Sequence, residues 1–160
     1  TGLLYANTIN QSMEYWFDTL PEFKQGLRYT GIGFRFRDPT KGEAWGFMEA
    51  IDPMTAKTKW KIPLTDFNQW SGMLSTSGGL LFTGKRTGEL LAIDDESGKV
   101  LWQFKTSSGI HSMPITYTFK GRQYVTVVNG LGGNSGINNP AVREYVSPGA
   151  SVWTFALINE

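Results

Sequence analysis

At 160 residues and 17.8 kDa the chain is long enough to bury one respectable core. Fifteen Lys and Arg against fourteen Asp and Glu, scattered rather than clustered, exclude the cation-rich face that nucleic acid needs, and no apolar run is long enough to span a membrane. With no Cys and a single His, thiol catalysis, disulfide staples and structural zinc fall away together, while nineteen Gly and 14% aromatics ask for tight turns between aromatic strands.

The opening residues, TGLLYANTIN, carry neither an initiating Met nor the zones of a signal peptide, and they read as a chain entering in mid-strand, as in a mature or cut piece. After the strand LLYAN comes an irregular stretch, 14–43. Within it FRFRD reads as a strand with Arg35 and Arg37 toward solvent, and MEYWFDTL (13–20) sustains at most a turn or two of helix. WGFMEAI follows as a strand, and a second group of short apolar segments begins near 72–77 and continues with LLFTG (80–84), GELLAI (88–93) and KVLWQFK (99–105). Strands are expected again near 113–118 and 123–128, then a Gly-rich loop, then SVWTFALI, with AVREY (141–145) as a possible helical turn.

Sliding the sequence by 42 positions superposes Gly46 on Gly88, Ala50 on Ala92, Ile51 on Ile93, Asp52 on Asp94, Lys57 on Lys99 and Trp60 on Trp102. The same shift sets Thr76 on Thr118, Gly79 on Gly121 and Gly88 on Gly130, so the period runs into a third copy. A period in the low forties is the size of one four-stranded propeller blade. The expected fold is therefore all-β, a partial β-propeller of about three four-stranded antiparallel blades. The first covers about 1–62 with an insert at 14–43, the second about 70–105, and the third about 111–160 with a Gly-rich loop at 130–149. In the second copy Asp94 and Ser97 can hold the turn backbone while Gly98 accepts a positive φ. The first copy keeps Asp52 and Thr55 but has Ala56 where Gly is preferred, which predicts a different turn or mild strain. Because radial repeats bury their faces on neighbours, three blades alone leave apolar faces and open edges, to be covered by the remaining blades of a larger ring or by self-association.

The shared pattern, Ala-x-Asp-x-x-Thr/Ser-Gly/Ala-Lys-x-x-Trp, resembles the tryptophan-docking repeat of the pyrroloquinoline quinone (PQQ) dehydrogenases, eight-bladed quinoproteins. In that family the Trp lies flat between adjacent blades, so Trp60 and Trp102 read as architecture. The Asp stands eight residues before the Trp, across a turn, unlike the Trp-Asp dipeptide of WD40 repeats. The resemblance covers nearly the whole chain. The stretch 69–133, from QWSGMLSTSGGLLFTG to VVNGLGG, is similar to the closing blades of the alcohol and methanol branch, and LLYANTINQSMEYW with PEFKQG to the stretch that enters them.

Three positions carry what the resemblance implies about the site. Trp70 matches a Trp that lies by the quinone, although Ser71 replaces the first Gly of the pair that follows it. A planar tricyclic quinone gains from an indole face, by about 0.5–1.5 kcal/mol beyond area burial. Asn10, three residues before Met13-Glu14, matches an Asn that donates to a quinone oxygen, where a donor fixed beforehand favours the reduced form. The family's Asn usually stands one position earlier, at Ile9 here, so Asn7 stays open beside it. Methanol-oxidising members place a pocket-narrowing Trp after GVGG; here GLGG is followed by Asn134, which argues against a methanol-sized pocket.

Other features invite less. His111 in SSGIHSMP is a lone imidazole without a second ligand and reads as surface or packing. GGLLFTGKRTG fails as a phosphate loop because Arg86 follows Lys85, and Asp94-Asp95-Glu96 lies in a turn. No nucleophile, base and orienting group come together.

The resemblance thus implies the C-terminal part of a periplasmic PQQ-dependent alcohol dehydrogenase that oxidises a primary alcohol to an aldehyde, inactive as this segment alone. The catalytic Asp, the vicinal cysteine pair, the Arg beside the quinone and the Ca²⁺ or lanthanide ligands come from earlier blades, and a c-type cytochrome is the implied electron acceptor. Two rival readings stand: a non-catalytic propeller scaffold, such as those of outer-membrane assembly, and a separately made subunit that completes a ring with a partner.

Overall fold

The computed structural model describes residues 1–19, 22–27, 29–131 and 140–156. In chain order the strands are β1 (Leu4–Ile9), β2 (Ser12–Phe17), β3 (Ile32–Arg37), β4 (Gly46–Ile51), β5 (Thr58–Leu64), β6 (Leu74–Ser75), β7 (Leu80–Gly84), β8 (Glu89–Asp94), β9 (Val100–Lys105), β10 (Ile115–Phe119), β11 (Arg122–Gly130) and β12 (Ala150–Ala156). Among the described residues one 3-10 turn, Pro140–Glu144, interrupts them where AVREY suggested a helical turn. No helix among the described residues is long and apolar enough to cross a membrane.

The strands form three antiparallel sheets, β1-β4-β5, β6-β7-β8-β9 and β10-β11-β12, and a separate β2-β3 hairpin. Only the middle sheet shows all four strands; the outer two have three each among the described residues. The middle sheet is the centre of the sandwich. Leu81, Leu91 and Ile93 on one face pack with Met48, Ala50, Trp60 and Leu64 of the first sheet, and Leu90 on the other packs with Val127 of the third and with Ile110. This double burial explains why LLFTG and ELLAI read as nearly unbroken apolar runs, each buried Leu or Ile contributing about 1.5–3 kcal/mol.

The repeated motif does its work between sheets. Trp60 sits opposite Ala50 across β4 and β5, and its Nε1 donates to the Asp95 carbonyl of the next sheet's turn at 3.0 Å. The indole lies against Gly98, where a Cβ would come within 2.8 Å of the ring, and Trp60 is only 9% exposed. Trp102 sits opposite Ala92 in the same way, but its ring rests on Phe155 at 5.3 Å and on Phe104, and it stays 41% exposed.

The two motif turns share one geometry. Each follows a register shift, after Ala50 and after Ala92, and in each the Asp amide donates to the Lys carbonyl at 2.9 Å, Asp52 to Lys57 and Asp94 to Lys99. Gly98 has φ +75° and Ala56 has φ +55°. Ala56 thus adopts the left-handed backbone that Gly98 adopts in the second copy, which is the mild strain expected there.

Residues 12–17 are extended rather than helical. The β2-β3 pairing sets Tyr15 across from Phe34 and Glu14 across from Arg35. The Glu14 carboxylate accepts from Arg35 and Arg37 at 2.6 Å each, on the exposed face expected for both arginines. Hydrogen bonds from Arg37 and Arg35 hold that carboxyl below its usual range.

Candidate functional site

Asn68, Gln69 and Ser71 are all buried, yet Trp70 between them is 38% exposed. Its backbone is fixed from three directions. Gln69 donates to the Gly84 carbonyl at 2.5 Å, the Ser71 hydroxyl donates to the Ser112 carbonyl at 2.8 Å, and the Gly84 amide donates to the Ser71 hydroxyl at 3.1 Å. The Ser at a position where the resemblance expects Gly therefore ties the Trp70 segment to β7 and to the loop before β10. At Gly72 a Cβ would come within 2.8 Å of the Met113 sulfur, so a side chain there would displace the exposed end of Met113.

Two side chains from other segments meet the indole. The Arg86 guanidinium, on the turn between β7 and β8, lies 5.1 Å from the Trp70 ring centre and 5.9 Å from that of Phe67, and the His111 imidazole lies 5.6 Å away at a 49° tilt. Arg86 is 3% exposed and donates to Asn68, which donates to Gln11 at 2.8 Å, which in turn donates to Asp38 at 2.7 Å. This relay carries the opposing charge from the end of the hairpin to the buried cation. Burial pulls the Arg86 pKa down, against the pull of Asp38. Burial, and then the Arg86 charge, pull the His111 pKa below its ordinary value, favouring the neutral imidazole.

Beside Trp70 opens a cavity of about 480 Å³, whose wall includes Asn7, Ile9, Gly72 and Trp70. Asn7 donates through Nδ2 to the Ser71 carbonyl at 2.5 Å and to the Thr83 hydroxyl at 3.3 Å. The Thr83 hydroxyl in turn donates to the Gly72 carbonyl at 3.1 Å, so it accepts from Asn7 and the amide has one consistent orientation. The Asn7 Oδ1 is left buried without a hydrogen-bond partner. A larger cavity of about 620 Å³, walled by Phe82, Leu90, Trp102, Val125 and Phe155, lies between the second and third sheets and includes none of these polar residues.

Of the residues singled out in the sequence, Trp70 lines the cavity together with Asn7, the alternative to Asn10. Asn10 is at the β1–β2 turn, its side chain donating to the Ala44 carbonyl at 3.0 Å and its amide to Trp45 at 2.8 Å. Asn134 lies outside the described residues. Arg86 and His111, which the sequence alone does not assign to a site, also meet Trp70. A signal existed for His111, because the 42-residue shift sets it on Gln69 and sets Ser112 on Trp70. Among the described residues no three His, Asp or Glu side chains converge on a metal-sized site.

The family model for the glucose/ethanol/alcohol dehydrogenase β-propeller domain (PQQ) matches residues 26–125. The quinoprotein ethanol dehydrogenase of Pseudomonas putida is 37% identical over 164 residues, covering 98% of this chain and 25% of its own length. The lanthanide-dependent methanol dehydrogenase of Methylorubrum extorquens is 37% identical over 138 residues, covering 86% of this chain and 23% of its own length. A solved europium-containing methanol dehydrogenase superposes with a TM-score of 0.81 at 30% identity, over 98% of this chain and 31% of that one. The chain spans about a quarter of the length of the curated relatives it matches. With its 42-residue repeat, its docked Trp60 and the match over residues 26–125, the chain belongs to the PQQ-type glucose/ethanol/alcohol dehydrogenase β-propeller family.

Proposed function

We propose that this chain forms one wall of the quinone pocket in a PQQ-dependent dehydrogenase that oxidises a primary alcohol to an aldehyde. The observation that carries the reading is Trp70: an indole held by buried neighbours on both sides in sequence, yet open to a cavity. The residues fit a planar heteroaromatic group. Such a group covers the open part of the indole, and one bearing an N–H or O–H supplies the donor that the buried Asn7 Oδ1 lacks. PQQ, when bound, supplies the hydride acceptor. Trp70 supplies an indole face or edge, and Asn7 supplies an acceptor at the rim; Asn10, at the neighbouring turn, is the candidate donor. Asn134 is assigned to the substrate side of the pocket, where it leaves room for an alcohol larger than methanol.

The catalytic base and the ligands of a Ca²⁺ or lanthanide ion are assigned to the rest of the protein, and a c-type cytochrome to the role of electron acceptor, in the periplasm. The relatives named as ethanol, 1-butanol and lanthanide-dependent methanol dehydrogenases support this reading. Titrating the full-length protein with PQQ and Ca²⁺ or a light lanthanide tests it, wild type beside Trp70→Ala, followed by dye-linked alcohol oxidation. The expected result is stoichiometric binding that weakens about tenfold or more in the variant, equivalent to about 1.4 kcal/mol. Equal affinity in the two proteins removes Trp70 from the site.

A further inference from the structure

The Trp70 indole is shared between a cation and an imidazole that come from different blades. Arg86 approaches it at 5.1 Å from the turn between β7 and β8, and His111 at 5.6 Å from the loop before β10. His111 is placed there by its neighbour, because the Ser112 carbonyl accepts the Ser71 hydroxyl at 2.8 Å and so joins the two loops one residue away from each ring. It is also the chain's single histidine. We propose that His111 is a positioning residue that holds the Trp70 indole against Arg86 and so sets the indole that borders the quinone.

The arrangement has a direction in pH. Among the described residues Arg86 is the charged group that lowers the His111 pKa after burial; Trp70, which its ring meets, and Ser112 beside it carry no charge. Protonating the imidazole sets a second cation beside Arg86 against the same indole. Because the imidazole's folded pKa is depressed, the clamp is intact above the ordinary histidine value of about 6.5 and is lost as pH falls through the lower folded value. The consequence for quinone binding rests on the pocket reading given above; the contact between His111 and Trp70 does not.

The test uses the full-length protein labelled with 5-fluorotryptophan, the Trp70 ¹⁹F resonance being assigned by Trp70→Phe. Without quinone, that resonance is expected to shift with pH at a midpoint below about 6.5 in wild type and to stay flat in His111→Gln. Quinone affinity is then expected to fall about two- to tenfold as pH drops past the same midpoint in wild type, and to be insensitive to that step in His111→Gln. A Trp70 resonance that ignores pH, or a titration that persists in His111→Gln, overturns the proposal. A titrating resonance in a folded protein that binds no quinone supports the His111–Trp70 clamp and overturns the quinone-pocket reading instead. Retained pH-dependent affinity in His111→Gln overturns the role in quinone binding.

Discussion

The two motif turns allow one substitution to be made in opposite directions at equivalent places. Gly98→Ala puts a Cβ on a backbone at φ +75° and within 2.8 Å of the Trp60 indole. The left-handed backbone costs about 1–2 kcal/mol for a residue with a Cβ, and moving a docked ring adds about 1–3 kcal/mol. The total is about 2–5 kcal/mol. Ala56→Gly relieves the same backbone cost at φ +55° on an exposed turn but loses about 0.4–1 kcal/mol through the freer unfolded chain, for a net gain of about 0–1.6 kcal/mol. Urea unfolding of the two variants in the full-length protein, followed by tryptophan fluorescence, measures both signs. Repeating Gly98→Ala in a Trp60→Leu background is expected to remove the ring's share of the cost. If Gly98→Ala costs no more than Ala56→Gly gains, the indole is not seated on that turn and the docking account of the blade contact fails.

Ser71→Gly restores the residue that the resemblance expects and deletes the hydrogen bonds to the Ser112 carbonyl and from the Gly84 amide. A loss of about 1–3 kcal/mol in unfolding free energy follows, and an unchanged urea midpoint would show that the two loops are joined without it. Asn7→Ala is expected to weaken quinone binding several-fold while Asn10→Ala leaves it unchanged, since Asn7 lines the cavity and keeps its Oδ1 unpartnered, whereas Asn10 does not line it. Calorimetric titration with PQQ decides between them, and the reverse order of effects assigns the site to Asn10.

The periodic part of the fold was legible because it is local and repeated. Each copy of Asp, turn residue, Lys and Trp sits within eleven positions, and a shift of 42 displays them without any structure. The hairpin at 12–37 was legible only in half. FRFRD showed its alternation, but MEYWFD gave no clear period, and its strand is set by partners about twenty residues away, such as Phe34 across from Tyr15. The site was least legible. Trp70 was found through resemblance, whereas Asn7 against Ser71 and Thr83, and Arg86 and His111 against Trp70, are contacts across loops from separate blades. No spacing rule within one strand or turn reports them.

The period still says where such contacts must fall. Equivalent positions of successive blades lie side by side, so the loop holding Gln69 and Trp70 must neighbour the loop holding His111 and Ser112, and the Ser71–Ser112 bond is that neighbourhood made physical. Residues that obey the repeat, such as Ala50 with Ala92 and Trp60 with Trp102, lie between sheets and hold the blades together. Those at the loop level depart from it: Trp70 becomes Ser112 and Gln69 becomes His111. A stacked scaffold needs the same residue in every copy because every copy meets the same neighbour. A pocket bordered by successive loops meets one ligand from several sides and needs a different residue from each. A break in the repeat such as that at Trp70 and His111 is what a ligand-facing position would look like in a chain otherwise built from copies, and it supports the proposed pocket at those loops without appeal to any relative's name.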